Sequence, residues 1–310
     1  SKAKLTSIST VNGADLYAIT ADGKVTRTSP SGDWEFDPPS PARGVFPQPN
    51  GFVVIAGSSK GKTDLWLIRP TDTDILATAT LPEISRGIRT QLGDRLYFTS
   101  GDTLIGVNTR DLKQAGKIRL PNTPEAVAPT PSGDRLYVAI KGSDRLSVVD
   151  RYTEDISGTV DLPGPAEDLR MDPLGQNLLV KPAGGGDSVW VISVGTDKLT
   201  GTFHGAWRAD LPTFSPGATI TTVRKNDVVM LNSATLAETR TITGGAADFW
   251  YFTSWNGFRP RSADLDMPVA PLPERSAVPD SNAVHAGNYS IPGPPLRDAT
   301  PAQVRQVISE

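Results

Sequence analysis

Six stretches of the chain carry one arrangement of apolar and polar positions: an alternating apolar strand, a turn, and a second polar-apolar strand that ends in another turn. They occupy 24–37, 64–81, 103–120, 145–162, 188–205 and 227–244. Corresponding ends lie 39 residues apart from Leu81 to Leu120, 42 from Leu120 to Leu162 and 39 from Gly205 to Gly244. Ahead of each stretch stands a further strand pair around a turn: Asn12-Gly13, Asn50-Gly51, Gly93-Asp94, Gly133-Asp134, Leu174-Gly175 and Pro216-Gly217. Glycine in these turns supplies positive φ at little steric cost. The segments that follow, such as Arg95-Leu-Tyr-Phe-Thr99 and Arg135-Leu-Tyr-Val-Ala-Ile140, are β-branched, aromatic or aliphatic and read as second strands.

A period of about 40 residues suits four short strands per unit. Connections of a few residues allow only antiparallel neighbours, which excludes a parallel sheet. One such sheet cannot bury both faces, whereas a ring of them can, so the pattern predicts an all-β β-propeller. A seventh unit begins at Asp248-Phe-Trp-Tyr-Phe-Thr253, turns at Asn256-Gly257 and degenerates after Ser262. Seven blades with the last incomplete are therefore expected over 1–262, six being the alternative.

Nine prolines from Pro260 to Pro301 mark 263–299 as an extended Pro-rich arm without a core of its own. Thr300-Pro301-Ala-Gln303 then has the form of a helix start, and a short helix is expected over 300–310. Its Val304, Val307 and Ile308 would form one small apolar face that needs a surface to pack on, either the propeller itself or a partner subunit.

The 31 basic and 34 acidic residues are interspersed, with a net charge of -3, so a nucleic-acid footprint is not expected. Cysteine is absent, which excludes disulfides and thiolate metal sites. No run of 18 apolar residues crosses a membrane as a helix, and the start at Ser1 leads us to expect processing or truncation.

Pro131-Ser-Gly-Asp-Arg-Leu-Tyr-Val-Ala139, continued by Asp144-Arg-Leu-Ser-Val-Val-Asp-Arg-Tyr-Thr-Glu-Asp155, resembles the YVTN family of bacterial propellers. The resemblance covers roughly residues 5 to 255 and weakens around Leu92, Leu174 and Ser215. It implies a seven-bladed, commonly exported propeller, and thus a periplasmic or cell-envelope location. Lactonase-like and quinoprotein-like relatives share the fold without sharing chemistry, so the fold assigns no reaction.

Ala56-Gly-Ser-Ser-Lys-Gly-Lys-Thr63 fits a relaxed phosphate-binding loop, and Gly57-Ser-Ser-Lys-Gly61 within it fits a hydrolase nucleophile elbow. Both motifs need a following helix, yet Asp64-Leu-Trp-Leu-Ile-Arg69 reads as a strand, so the segment is expected to be a hairpin loop. His204 and His285 are the only histidines, too few for a multi-histidine metal site. No cofactor is expected. A calcium site of carboxylates and carbonyls is compatible with converging loops, but no spacing names its ligands. Asn288-Tyr-Ser290 is a glycosylation sequon that matters only in a eukaryotic secretory pathway.

Alignment of the repeats places Arg43, Arg86, Glu125, Glu167, Ala209 and Ala247 at one position at the start of the first strands. The next position holds Gly44, Gly87, Ala126, Asp168, Asp210 and Asp248. First strands are innermost in a propeller, so these residues would ring the channel mouth with a basic and an acidic arc. Such a ring reads either as a ligand or partner pocket or as a wet channel mouth whose charges neutralise each other. No catalytic constellation is found. The expected function is that of a non-catalytic binding or scaffold module, an accessory subunit of a cell-envelope or membrane-associated complex. The alternatives are a metal-dependent lactonase-like hydrolase and a small-ligand binder using the channel.

Overall fold

Runs such as Val53-Val-Ile-Ala56 and Leu136-Tyr-Val-Ala-Ile140 are buried at every position, so strands built from them need cover on both faces. In a computed structural model of the chain, residues 15–29, 32–71, 73–172, 174–207 and 219–247 are described in full. Backbone alone is described for 5–9, 214–215, 283–286 and 289–292. The chain divides into two compact units, Ser1–Ser254 and Trp255–Glu310.

Six four-stranded antiparallel sheets make up the described part of the first unit, each with its strands in chain order. The first holds β1 (Leu5–Ser9), β2 (Leu16–Thr20), β3 (Val25–Thr28) and β4 (Trp34–Phe36). The second holds β5 (Ala42–Pro47), β6 (Val53–Ser59), β7 (Lys62–Arg69) and β8 (Asp74–Pro82). The third holds β9 (Arg86–Arg89), β10 (Arg95–Ser100), β11 (Thr103–Asn108) and β12 (Gln114–Arg119). The fourth holds β13 (Pro124–Pro129), β14 (Arg135–Ile140), β15 (Arg145–Asp150) and β16 (Asp155–Asp161). The fifth holds β17 (Ala166–Met171), β18 (Asn177–Pro182), β19 (Ser188–Ser193) and β20 (Lys198–His204). The sixth holds β21 (Phe214–Ser215), β22 (Thr219–Arg224), β23 (Asp227–Asn232) and β24 (Glu238–Ile242).

The core lies in the seams between successive sheets. Period-two alternation sends Val53 and Ile55 of β6 against Tyr17 and Ile19 of the first sheet, and Val54 and Ala56 against Leu96 and Phe98 of the third. Leu136 and Val138 face the third sheet, Tyr137 and Ala139 the fifth, and Leu179 the sixth. Fourth strands such as β16, β20 and β24 are mostly exposed, while first strands touch one another, β9 against β13 and β13 against β17. This is the propeller arrangement, with first strands innermost.

Six sheets among the described residues match the lower of the two expected blade counts, and the partial seventh, with Asp248, lies outside the described residues. So do the helix expected at 300–310 and its Val304, Val307 and Ile308. Within the arm, expected to be extended and without a core of its own, β25 (Ala283–Ala286) and β26 (Tyr289–Pro292) pair as an antiparallel hairpin. Among the described residues, no helix is long and apolar enough to cross a membrane.

Candidate functional site

Turn chemistry fixes where each first strand begins and ends. Gly51, Gly93, Gly133 and Gly175 all take φ between 69° and 84°, and each N–H donates to the carbonyl three residues back. Counting back along the ladders gives the true ring positions. Pro47 pairs with Val53, Arg89 with Leu96, Pro129 with Leu136 and Met171 with Leu178. Near the strand start, Gly44 pairs with Ala56, Arg86 with Thr99, Ala126 with Ala139 and Asp168 with Lys181.

Arg86 therefore stands level with Gly44, Ala126 and Asp168. The sequence alignment had put it one step earlier, level with Arg43, because the dipeptide Arg-Gly occurs at both places. The position preceding this level is a bulge: Arg43, Glu125 and Glu167 are each the extra residue between two paired neighbours. In the third sheet Ser85 takes that place, its N–H donating to the Thr99 carbonyl at 2.8 Å. Bulges turn these side chains out of the ladder and onto the rim.

The corrected register explains a charge pair that crosses the ring. Arg86 Nη1 of the third sheet lies 3.8 Å from Asp168 Oδ1 of the fifth, passing the fourth sheet between them. Asp168 also accepts from the Trp207 indole N–H at 2.9 Å and from the Leu169 N–H at 2.9 Å. Arg170, two residues along the same strand, lays its guanidinium over the Trp207 ring at 4.3 Å. Burial holds the Arg170 guanidinium below the usual arginine range, against the opposing effect of Asp168. Glu167 is bound by Lys181 of the neighbouring strand at 2.5 Å. Arg43 is exposed and has no ion-pair partner among the described residues. Trp207 escaped sequence reasoning because it follows β20 outside the repeat pattern. Asp210, like Asp248, lies outside the described residues.

A cavity of about 280 Å³ opens on the same rim between the second and third sheets, lined in part by Arg43, Arg86, Glu83, Ser58, Ser85 and Phe46. The segment with the phosphate-loop spacing forms part of its wall. There Ser59 pairs with Lys62 across the two turn residues Lys60 and Gly61, at φ 46° and 75°, so the segment is a hairpin between β6 and β7 with no helix after it. His204 is exposed, its Nδ1 3.2 Å from Asp187 Oδ1. No group of three His, Cys, Asp or Glu that would hold a metal ion occurs among the described residues.

Sheets, seams and rim together define a β-propeller. The chain is similar to the β-propeller domain of Cps50 (Swd1) from Myceliophteria thermophila, at 16% identity and a TM-score of 0.59, over 79% of this chain and 87% of that one. It is also similar to hydrazine synthase from Kuenenia stuttgartiensis, at 15% identity and a TM-score of 0.49, over 61% of this chain and 62%, under two thirds, of that chain's length. No protein-family profile and no curated protein sequence matches the chain. At 16% identity the likeness to the Cps50 propeller domain carries the fold and no chemistry.

Proposed function

We propose that the protein is a non-catalytic binding module of the YVTN type. It docks a partner protein on the rim where its first strands begin and serves as an accessory subunit in the cell envelope. The observation that supports this is the gathering of charged side chains from four sheets on one rim: the exposed Arg43 and Arg86, and the half-buried Glu125, Glu167 and Asp168. A rigid ring that presents both signs of charge selects a partner by charge complementarity more than by buried apolar area. The arm at 263–299 and the segment at 300–310, with Val304, Val307 and Ile308, form a second docking element in this reading. No metal or cofactor enters it.

The test is affinity capture from membrane and soluble extracts, with the partner identified by mass spectrometry. Three proteins are compared: the full chain, the Arg86→Ala/Asp168→Ala double variant, and a chain ending at Ser262. A stoichiometric partner held by the full chain and lost from the double variant is expected. Equal capture by the double variant removes the rim from the proposal, and a clean monomer in every case removes the scaffold reading altogether.

A further inference from the structure

The second sheet departs from the repeat. Its β6, β7 and β8 span 7, 8 and 9 residues, whereas the matching strands of the third sheet all span 6. The surplus lies at the rim, where the hairpin through Lys60 and Gly61 stands beyond the ends of the neighbouring strands. The connection from β8 to β9 runs alongside, and the Ile84 N–H donates to Thr63 Oγ1 at 3.2 Å. Ser85 is fixed in turn by Thr99, with the two hydroxyls 2.8 Å apart. Two walls tied in this way are pre-organised, and the cavity lies at the seam where the longer second sheet meets the shorter third.

Its floor is built from missing side chains. A Cβ on Gly87 would stand 2.5 Å from Phe46 Cζ, and one on Gly44 2.9 Å from Phe46 Cε2, so the Phe46 ring occupies the space of both. Phe46 is held edge-on against Phe98, with ring centroids 5.6 Å apart. The polar groups are uneven in sign. Arg43 and Arg86 line the cavity, Arg86 with one nitrogen 3.8 Å from Asp168 beyond it, and Lys60 and Lys62 belong to the hairpin that forms one wall, with Glu83 as the one acid in the lining. Arg43, Lys60 and Lys62 have no ion-pair partner among the described residues. The volume is close to the lower end for small-molecule pockets, roughly 300 Å³.

We infer that this cavity is a binding site for a small hydroxylated carboxylic acid. The carboxylate lies between Arg43 and Arg86, the carbon chain rests on Phe46 and Ile84, and hydroxyls meet Ser58, Ser85 and Glu83. Guanidinium forks suit the two oxygens of a carboxylate, and the serines and glutamate supply donors and acceptors that a purely aliphatic acid would leave unused. The site lies beyond the docking reading: it is measured on the isolated protein, so either can fail while the other stands.

Titration calorimetry at low salt, with D-gluconate as the probe, tests it. Sorbitol, hexanoate and inorganic phosphate serve as comparison probes. Gluconate should bind one to one, sorbitol not at all, and hexanoate more weakly. Arg43→Met and Arg86→Met should each weaken gluconate by about tenfold or more, the loss of one charged hydrogen-bonding group. Arg145→Met, remote on the fourth sheet, should leave it unchanged. Thermal unfolding of each variant shows whether the fold is intact. Should a variant misfold, Arg43→Lys and Arg86→Lys replace it, keeping the charge without the fork, and a clear loss of affinity is still expected. Absence of binding, equal binding of sorbitol, binding of phosphate alone, or full affinity in folded arginine variants would overturn the inference.

Discussion

Asp197 is held by two groups of the preceding sheet: the buried Tyr137 hydroxyl donates to Oδ1 at 2.6 Å, and Arg135 Nη1 lies 3.4 Å from Oδ2. Burial, then the hydrogen bond and charge of Asp197, raise the Tyr137 hydroxyl far above the ordinary tyrosine range. Tyr137→Phe should therefore cost about 1.5–3 kcal/mol in urea unfolding, the range for a hydrogen bond to a charged group. A second link joins the same fourth sheet to the third, where Arg151 Nη2 donates to Asp94 Oδ2. Burial raises the Asp94 carboxyl, but the bonds from Arg151 and Thr90 outweigh it and hold the group below the usual carboxylate range. A depressed folded value means that this stabilisation is present above the unfolded value, about 3.9, and is lost as pH falls through the lower folded one. The stability difference between the native chain and Arg151→Met, followed by denaturant titration, should thus be constant at neutral pH and shrink below about pH 4. A difference independent of pH would place the contribution of Arg151 elsewhere. Arg86 and Asp168 were legible as members of the charged ring but not as partners, and Trp207 and Asp197 were not legible at all. Each contact joins residues 39 to 82 positions apart, and no local pattern encodes it.

The elements were legible in kind and less so in detail. The six predicted hairpins coincide with the third and fourth strands of the six sheets, because turn residues and period-two alternation act within a few positions. Hidden from that reading is the bulge in the outer hairpin of the second to sixth sheets, where the register shifts between the third and fourth strands. Each turn there places a non-glycine residue in the left-handed region: Thr73, Leu112, Glu154, Asp197 and Leu236, with φ from 52° to 60°. In each case its N–H donates to the carbonyl four residues back. Several of these side chains reach the preceding sheet: Leu236 packs into the seam with the fifth, and Glu154 lies over Gly116 of the third. Leu112→Gly should cost about 2–4 kcal/mol, since relief of strain is smaller than the loss of a buried leucine. Glu154→Gly should change stability by less than about 1 kcal/mol, as relieved strain and added freedom in the unfolded chain nearly cancel. Thermal unfolding of the two variants side by side checks the contrast.

At the scale of the whole propeller unit, stability resides in seams shared by two sheets, and the rim is a consequence of how those seams are filled. Phe98 is fully buried between the second and third sheets and supports Phe46 under the rim cavity. Phe98→Ala should lower unfolding stability by about 3–5 kcal/mol in one cooperative transition. At a temperature where the variant is still folded, it should also weaken gluconate binding. Unaltered binding in the folded variant would mean that Phe46 keeps its place without Phe98.

The sequence by itself determined the repeat, the antiparallel hairpins, the buried double-faced strands and the turns, because each depends on neighbours a few residues apart. It also excluded the phosphate-loop reading of the segment before Asp64, since a strand follows where a helix is required. Only the tertiary structure decided that Arg86 shares a level with Asp168 rather than with Arg43. Rim position depends on the bulge and on the ladder counted from the far turn, and a repeated Arg-Gly dipeptide conceals both. The seam beside the extended second sheet was likewise decided there. Extra residues in one sheet are visible in the chain, but the cavity they leave appears only when a neighbouring sheet is laid against them.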